Sequence, residues 1–437
     1  MNKKDWLKRK DLEYKNNELF YGNIRCNDLA EQYGTPVYVI NEIIIRERYN
    51  VLKELLDSVY TNNEIHYAVK ANSNLSVLKI LNSEGASVDC SSAGEVFLSL
   101  KAGFPSDKIL YTGNMFTNED FRYAIENGVG INLDSISQLD RLTRIYEDLG
   151  KEKGAISFRI NPEFGAGHHA HTITAGREIK FGILNNQVIE AYKKAKDYGF
   201  TRFGTHIHIG SGIIDATDYE KAIGKYIDIV MNLADTLDIK FEFIDFGGGL
   251  GIPYNPEQEP LDLDKYKEIV IKPMVDLLEQ HKIGKPVIKI EPGRFIVAEA
   301  GIILTQINTK KDNGYKKFLG VDAGFNTLIR PTMYGSYHHI IPCQIHENSD
   351  VKEYDIAGPI CESGDILGKN RKFPEPIEED YLAILDSGAY GFVMSSVYNS
   401  RPRAPEVLIK GKKSYIIREA EEFKDLIKKQ KVPKHLN

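Results

Sequence analysis

A chain of 437 residues, 42% hydrophobic and 27% charged, has the composition of a folded globular protein and is long enough for two domains. The formal net charge of -6 argues against a nucleic-acid partner, and no apolar run reaches membrane-spanning length. The charged start is followed by no apolar segment, so we expect no signal peptide and a cytoplasmic location.

The four cysteines, Cys26, Cys90, Cys343 and Cys361, are far apart and form no CxxC pair. Neither a zinc site nor a disulfide framework is indicated by this spacing. Any role for one of them therefore depends on its local chemistry.

Short β-rich runs alternate with helical patterns from about residue 64 to residue 294. The clearest helical pattern is SISQLDRLTRIYEDLG, residues 135–150, whose apolar residues fall on one face. Alternation of strand and helix predicts a parallel sheet, and eight repeats fit a (β/α)8 barrel of the TIM type. A doubly wound open sheet is the competing layout. The eight β-rich runs are EIHYAVKA, ASVDCSS, KILYTGN, INLDS, ISFRINP, FGTHIHIG, FEFIDFGGG and VIKIEPGR.

The pattern changes after about residue 300, where β-rich runs follow one another without regular helices. This predicts a mainly antiparallel β-domain, and the early run TPVYVIN could pair with its strands. We expect the barrel to occupy residues 45–300 and the β-domain residues 1–44 and 301–437, with a helix and a tail at the end. The runs are KKFLGVDA, HHIIPCQIH, EEDYLAILDSG, APEVLIKG and KSYIIREA.

Polar residues and glycines stand where each barrel strand ends, which is the edge that carries the active site in this fold. A lone strand lysine is usually a surface residue, but at this edge Lys70 could act as a base or as a Schiff-base amine toward a carbonyl. The strand-end residues are Lys70, Asp89, Asn114, Asp134, Arg159, His208, Gly247 to Gly249, Glu291 and Arg294.

Two glycine-bearing turns suggest that the carbonyl belongs to a phosphorylated cofactor. DFGGGLG, residues 245–251, and EPGRF, residues 291–295, follow the last two strands, where barrels usually bind phosphate. A lysine, a phosphate cradle and a carboxylate, Glu291, are what pyridoxal phosphate requires. In HIHIGSG, His208 could stack on the cofactor ring and Ser211 could reach the phosphate, whereas His206 is expected to be a hydrogen-bonded core residue.

These motifs resemble those of the fold type III, alanine-racemase-like, pyridoxal-phosphate-dependent decarboxylases over nearly the whole chain. The resemblance implies that the lysine of YAVKAN, Lys70, bonds covalently to the cofactor and that the tyrosine of GAY, Tyr390, contacts its phosphate. The implied cofactor-binding residues are Lys70, Asp89, Arg159, His208, Ser211, Gly247, Gly248, Gly249, Glu291, Pro292, Gly293, Arg294 and Tyr390.

The β-domain motifs indicate the substrate. LIRPTMYGSYHHI, residues 328–340, resembles an RPxxY element whose arginine and tyrosine, here Arg330 and Tyr334, hold a distal carboxylate together with Arg294; Tyr390 joins this set. The expected reaction is therefore decarboxylation of meso-2,6-diaminopimelate to L-lysine and carbon dioxide. The alternative is decarboxylation of ornithine, arginine or another basic amino acid, which offers no carboxylate for a guanidinium to grip.

CESGD, residues 361–365, resembles the family element whose cysteine, here Cys361, gives a proton to the product, while the next acid, Glu362, binds the distal amino group. A thiol, with a reference pKa of about 8.5, suits that step, although a lone cysteine is more often inert core. In the family this element reaches the site from a partner subunit, which implies a homodimer with shared active sites.

Three departures from the family pattern concern details: Phe295 after EPGR, glycine at the end of HIGSG, and a loop over residues 164–183 with His168, His169 and His171. The histidine spacing does not favour a metal site, so we expect no metal and a mobile loop over the active site. A non-catalytic, cofactor-binding regulatory protein is the alternative of another class. Such a protein would be expected to lack Lys70 or Cys361, and both are present.

Overall fold

Eight parallel strands close into a barrel in one of the two compact units of this computed structural model, which describes residues 9–165, 174–176, 178–281 and 284–436. The barrel unit comprises Ile45–Pro253 and Glu259–Ile296. The other unit comprises the described residues up to Ile44, Tyr254–Gln258, and those from Val297 onward. His168, His169 and His171 lie outside the described residues.

Neighbouring barrel strands pair in parallel, and the ring closes where Ile288 of the eighth strand pairs with Asn63 of the first. Ile131 of the fourth strand likewise pairs with Ile156 of the fifth. The predicted (β/α)8 barrel is confirmed, and the open sheet is excluded. The eight strands are Asn63–Ala68, Ser87–Cys90, Ile109–Thr112, Gly130–Leu133, Ile156–Asn161, Phe203–Ile207, Phe241–Asp245 and Val287–Ile290; a short strand, Ile183–Leu184, pairs in parallel with the end of the fifth.

Helices cover the barrel, and polar caps define several of their starts. The side chain of Ser135 accepts a hydrogen bond from the Ser137 N–H and begins the helix expected from SISQLDRLTRIYEDLG, while Thr117 forms a capping box with Asp120. The helices are Glu42–Asp57, Leu75–Ser83, Ala93–Ala102, Asn118–Glu126, Ile136–Leu149, Asn185–Asp197, Thr217–Leu237, Leu263–Tyr266 and Lys272–His281, with a π-helical turn at Lys267–Ile271 and 3-10 turns at Val69–Ala71 and Ser106–Lys108.

The β-domain is built around Val37–Asn41, the strand expected from TPVYVIN. It pairs antiparallel with Gly301–Asp312 and parallel with Glu406–Lys410, which confirms that the N-terminal run joins the later strands. Most pairs in this unit are antiparallel. The remaining strands are Leu12–Lys15, Glu18–Tyr21, Ile24–Arg25, Lys317–Val321, Ile340–Pro342, Val351–Ala357, Ile366–Pro374, Tyr381–Ile384 and Lys413–Arg418; the helices are Cys26–Tyr33, Arg330–Tyr334 and Phe423–Ile427, and the short helix Arg294–Val297 begins in the barrel unit and ends at Val297.

Two apolar clusters hold the β-domain together, one on each face of its central strands. Alternate residues of Gly301–Asp312 divide between them: Ile302 and Leu304 belong to one cluster, Ile303 and Ile307 to the other. Both faces are therefore buried. Within the described chain, no helix is long and apolar enough to cross a membrane.

Candidate active site

Lys70 lies in a 3-10 turn directly after the first barrel strand. Its Nζ donates a hydrogen bond to Asp89 Oδ2 at 2.8 Å, and its side chain keeps 37% of its surface exposed while that of Asp89 is buried. The second carboxylate oxygen of Asp89 is buried without a hydrogen-bond partner among the described residues. The lysine is thus oriented by a buried carboxylate while its amine remains accessible.

Glu291 follows the eighth strand and is buried beside His206 of the sixth. Its Oε2 lies 3.1 Å from His206 Nε2, whereas its Oε1 is buried with no hydrogen-bond partner in the described part of the chain. Burial lowers the pKa of His206 to about 4, so the imidazole is neutral at pH 7. Burial, reinforced by the charge of Asp89, raises the pKa of Glu291. A cationic N–H placed at Oε1 would relieve both the pKa shift and the missing hydrogen bond.

The GGG turn after the seventh strand has no room for side chains. A Cβ on Gly247 would lie 2.1 Å from the Ile207 carbonyl oxygen, and one on Gly248 would lie 2.3 Å from that of Glu291. The N–H of Gly247 donates to Asp245 Oδ1 at 2.8 Å, and that of Gly248 donates to His208 Nδ1 at 3.0 Å. This second bond leaves the hydrogen of neutral His208 on Nε2, and burial lowers its pKa well below the usual value.

The loops after the sixth and seventh strands are joined to each other. Ile213 N–H donates to the Gly249 carbonyl at 2.9 Å, and Gly251 N–H donates to the Ile213 carbonyl at 2.8 Å. Gly249 has a φ of 112°, a conformation available to glycine, and a Cβ there would lie 2.8 Å from Tyr219 Oη. The paired loops form a rigid rim of backbone around Ser211.

Two buried arginines border this rim. Arg294, at the start of a short helix, donates from Nη2 to Ser211 Oγ at 3.1 Å. Arg159 donates from Nη2 to the His208 carbonyl at 3.2 Å and packs over the Phe181 ring. Burial lowers the pKa of Arg159 to about 10, and it remains a cation at pH 7. Pro292 and Gly293 pack on the Lys70 turn, where the Ala68 N–H donates to the Pro292 carbonyl.

The barrel site fits pyridoxal phosphate better than a metal ion. His206, Asp245 and Glu291 present ligand atoms within 4.8 Å of one another, which could hold a cation. However, His206 is surrounded by the carboxylates of Asp245 and Asp89 and by the cations Arg159 and Lys70 alike, so its surroundings do not single out a dication. An amine at Lys70, an unsatisfied carboxylate oxygen at Glu291 and a glycine cradle match the three requirements of the cofactor.

In the β-domain, Tyr390 lies in a tightly wound turn after the strand Tyr381–Ile384. Its own φ is 57°, and a Cβ on Gly388 would lie 1.9 Å from the Val297 carbonyl oxygen. Ser387 N–H donates to the Gly301 carbonyl at 2.7 Å, which fixes the start of the turn. The conformation of this turn is therefore strongly restricted around Tyr390.

Arg330 begins the short helix Arg330–Tyr334 and is only 4% exposed. Its guanidinium lies 4.4 Å from the centre of the Tyr254 ring, and its Nη1 is 2.7 Å from His338 Nε2. Tyr334, at the other end of the helix, is half-buried. A guanidinium held between an aromatic face and an imidazole keeps a single orientation, as bidentate carboxylate binding requires.

Cys361 and Glu362 lie in an exposed loop whose shape is set by buried Asp365. Asp365 accepts hydrogen bonds from the N–H groups of Phe325 and Ile360, at 2.6 and 2.7 Å. The amide of Asn399 donates from Nδ2 to Cys361 Sγ at 3.2 Å, and Tyr398 Oη donates to Glu362 Oε1 at 2.8 Å.

Sequence reasoning missed several residues that position the site. His206 is a buried, hydrogen-bonded residue as expected, but its partner, Glu291, was not predicted; it shares a strand face with His208, so the two-residue period contained the signal. Asp245 precedes Gly247 by two residues and holds its N–H. Asn399 contacts Cys361 across 38 residues of sequence, and Tyr398 contacts Glu362 across 36, so no local sequence pattern indicates either contact.

Comparison with known proteins identifies relatives across the full length of the chain. Residues 44–298 match the family model described as pyridoxal-dependent decarboxylase, pyridoxal binding domain. Diaminopimelate decarboxylase of Methanothermobacter thermautotrophicus is 47% identical over 418 residues, covering 96% of each chain.

Solved structures agree with this comparison. Diaminopimelate decarboxylase of Methanocaldococcus jannaschii, in co-complex with L-lysine, superposes with a TM-score of 0.91 at 34% identity and covers 98% of this chain and 99% of that one. A lysine/ornithine decarboxylase from Vibrio vulnificus complexed with putrescine is 22% identical, with a TM-score of 0.74, and covers 88% of this chain and 97% of that one, which shows a shared fold alone.

Proposed function

We propose that this chain, which belongs to the pyridoxal-dependent decarboxylases and among them to the diaminopimelate decarboxylases, converts meso-2,6-diaminopimelate to L-lysine and carbon dioxide. The observation that carries this proposal is the pairing of an oriented amine, Lys70, with the buried, half-satisfied carboxylate of Glu291.

Pyridoxal phosphate, when bound, supplies an electron sink for the pair left at the α-carbon when the carboxylate departs. Lys70 would hold the cofactor covalently, with Asp89 orienting its amine. Glu291 would accept the hydrogen bond of the protonated ring nitrogen at Oε1, and neutral His206 would fix the other carboxylate oxygen. His208 would pack on the ring face.

The phosphate would be held by the backbone N–H groups of Gly249 and Gly293, because the N–H groups of Gly247, Gly248 and Gly251 are already used within the protein. Ser211, Arg294 and Tyr390 would complete this set. Arg159, buried and cationic, would add positive charge beneath the cofactor.

Substrate choice would depend on the distal end of the amino acid. Arg330, Tyr334 and Arg294 would hold its carboxylate, and Glu362 its ammonium. A substrate without a distal carboxylate forgoes the bidentate contact with a guanidinium, so ornithine and arginine would bind poorly. Cys361 would donate the proton that replaces the lost carboxylate.

Carbon dioxide release from the protein with pyridoxal phosphate tests the proposal, comparing meso-diaminopimelate with L-ornithine, L-arginine and L-lysine. Release from diaminopimelate, abolished in Lys70→Ala, is expected. Release mainly from ornithine or arginine would overturn the substrate assignment. No release despite a bound cofactor chromophore would favour the regulatory alternative.

Arginine variants test the distal carboxylate contact. Arg330→Lys keeps the charge but loses the planar fork, so the KM for diaminopimelate is expected to rise about 10- to 100-fold. Arg141→Lys is the matched control, because Arg141 also packs over an aromatic ring, Phe121, and has no assigned substrate role. An unchanged KM in Arg330→Lys would contradict the assignment.

We also propose a two-fold homodimer in which the Cys361 loop serves the partner's cofactor. Exposed apolar side chains near this loop support it: Met333 follows Thr332, which bonds to the Gly364 carbonyl, and Val397 precedes Tyr398. All four cysteines are free thiols, which supports the cytoplasm as the compartment.

Subunit mixing tests the shared site. Lys70→Ala and Cys361→Ser subunits are each inactive alone, but random exchange makes about half the dimers mixed, and each mixed dimer regains one intact site. About a quarter of wild-type activity is therefore expected. No recovery on exchange, verified by mass spectrometry of mixed dimers, would exclude sharing.

A further inference from the structure

A cavity of about 580 Å³ opens at the amino-terminal end of the barrel, away from the strand ends that carry Lys70 and Glu291. Ile109 and Gly130, which begin the third and fourth strands, line it, as does Ala155 just before the fifth. Its size lies in the range of about 300 to 1,000 Å³ typical of small-molecule sites.

A buried lysine without an ion-pair partner forms the floor of this cavity. Lys289 is only 8% exposed, and its Nζ lies 4.1 Å from the centre of the Phe243 ring. Among the described residues it has neither a carboxylate within 4 Å nor a hydrogen-bond acceptor. Burial lowers its pKa, although the charges of Asp245 and Glu64 oppose that shift. An ammonium in this position is stabilised by any anion that enters the cavity.

The Phe243 ring separates the cavity from the cofactor site. Phe243 and Lys289 lie two residues before Asp245 and Glu291 on the same strands, so all four point into the barrel. The ring lies across the sixth strand, where a Cβ on Gly204 would be 2.1 Å from its Cζ. In the described structure the floor lysine therefore faces the cavity and has no carboxylate within 4 Å, although the charge of Glu291 reaches it.

The mouth of the cavity has the opposite charge. Asp107, Glu126 and Glu152 are exposed there, and in the described structure none has a cation within 4 Å. Arg202 is neutralised by Glu242, which leaves only Lys151 against the three carboxylates. Between mouth and floor the wall is apolar, with Leu110, Ile125 and Val129 buried.

We propose that this cavity binds a small zwitterionic amino acid, with its carboxylate on Lys289, its methylene chain along the apolar wall and its distal ammonium among the acidic residues of the mouth. A phosphate would carry a second negative charge toward that mouth, which disfavours it. L-lysine has the proposed chemistry, and its identification as the ligand rests on the proposed function.

Calorimetric titration with 6-aminohexanoate tests the site in holoenzyme reduced with borohydride, because reduction fixes the cofactor on Lys70 and the primary amine of the probe can then no longer engage it. Binding is expected to weaken about 10- to 100-fold in Lys289→Met, as for loss of a charge-assisted hydrogen bond. Lys151→Met, which removes the cation at the mouth, should change the Kd by less than threefold. Hexanoate and hexylamine, which each lack one end, should bind more weakly.

A second variant keeps the test independent of any folding defect in Lys289→Met. Gly130→Val adds bulk to the cavity wall, since a Cβ there would lie 3.4 Å from Leu110 Cδ1, and Gly130 does not have a left-handed conformation. It should weaken 6-aminohexanoate binding while leaving carbon dioxide release unchanged.

Several results would overturn the proposal: no binding of 6-aminohexanoate, a Kd unchanged in both variants, or hexanoate, hexylamine or inorganic phosphate binding as tightly. The L-lysine identification is tested separately, by titrating L-lysine into the same reduced protein and into its Lys289→Met variant. If the reduced protein binds 6-aminohexanoate but not L-lysine, the site stands without this ligand. Failure of decarboxylation would leave 6-aminohexanoate binding unaffected.

Discussion

Gly248→Ala is expected to damage the cofactor site because the turn has no space for a methyl group. The new Cβ would lie 2.3 Å from the Glu291 carbonyl oxygen, about 1 Å inside an ordinary contact, and the obstacle is backbone that cannot rotate away. Relief requires moving the residue that carries the carboxylate and straining the Gly248 to His208 hydrogen bond. Overpacking at about 1 to 3 kcal/mol plus about 1 kcal/mol for the bond predicts a loss of about 2 to 4 kcal/mol in unfolding free energy.

Displacing Glu291 would break its proposed hydrogen bond to the ring nitrogen of the cofactor. Because losing one hydrogen bond to a charged group costs about 1.5 to 3 kcal/mol, the affinity for pyridoxal phosphate should fall at least about tenfold. The assays are urea unfolding of the apoprotein and absorbance titration with the cofactor. Gly224→Ala is the matched control: Gly224 lies within the helix Thr217–Leu237 with open space around it, and alanine there should stabilise by about 0.5 to 1 kcal/mol. A Gly248→Ala protein with unchanged stability and a cofactor Kd within threefold of wild type would refute the reasoning.

Glu291→Gln removes the buried negative charge but keeps the shape of the side chain, so kcat should fall at least about 100-fold while the cofactor still attaches to Lys70. A kcat equal to that of the wild type would contradict the contact of Glu291 with the ring nitrogen. Cys361→Ser replaces an acidic thiol by a hydroxyl, and product formation should fall about 100-fold or more with cofactor binding intact, whereas Ser363→Ala in the same loop should have little effect. Arg9→Met leaves buried Asp386, which Arg9 contacts at 2.6 Å, without its cation and should cost about 3 kcal/mol in urea unfolding, with exposed Lys10→Met as the control. Burial lowers the pKa of His66 from 6.5 to about 4, so between these pH values the folded state binds fewer protons than the unfolded state. The free energy of unfolding should therefore fall by up to about 3 kcal/mol as the pH drops from 6.5 to 4. If the pH dependence of unfolding is the same in His66→Gln, this residue is not the cause.

The barrel could be predicted from the sequence because its signal is periodic and repeated. Each strand is a short apolar run that ends at a polar residue, and each is followed by a helical stripe, so Lys70 and Glu291 could be assigned to the same edge before any coordinates. The closure of the ring by Ile288 and Asn63 follows from having eight such units.

The β-domain was less predictable because several strands lack an apolar alternation. Val351–Ala357 and Ile366–Pro374 pair with each other near a sheet edge, and their exposed positions carry lysine, glutamate and asparagine. Sequence analysis did not identify either strand. The contact of Cys361 with Asn399 depends on the tertiary fold, and Asn399 itself adopts a left-handed conformation.

Substrate choice must come from residues outside the features that the whole fold shares. The barrel is common to this chain and to a lysine/ornithine decarboxylase with a TM-score of 0.74, so neither the strand order nor the barrel shape can select diaminopimelate. The family model covers residues 44–298 and ends before Arg330 and Cys361. Arg330 lies beyond that model, and its guanidinium is held 4.4 Å from the centre of the Tyr254 ring, in an orientation that suits bidentate binding of a carboxylate. The second carboxylate of diaminopimelate is the group that distinguishes this substrate from ornithine, so we expect substrate choice to depend on Arg330 and not on the barrel.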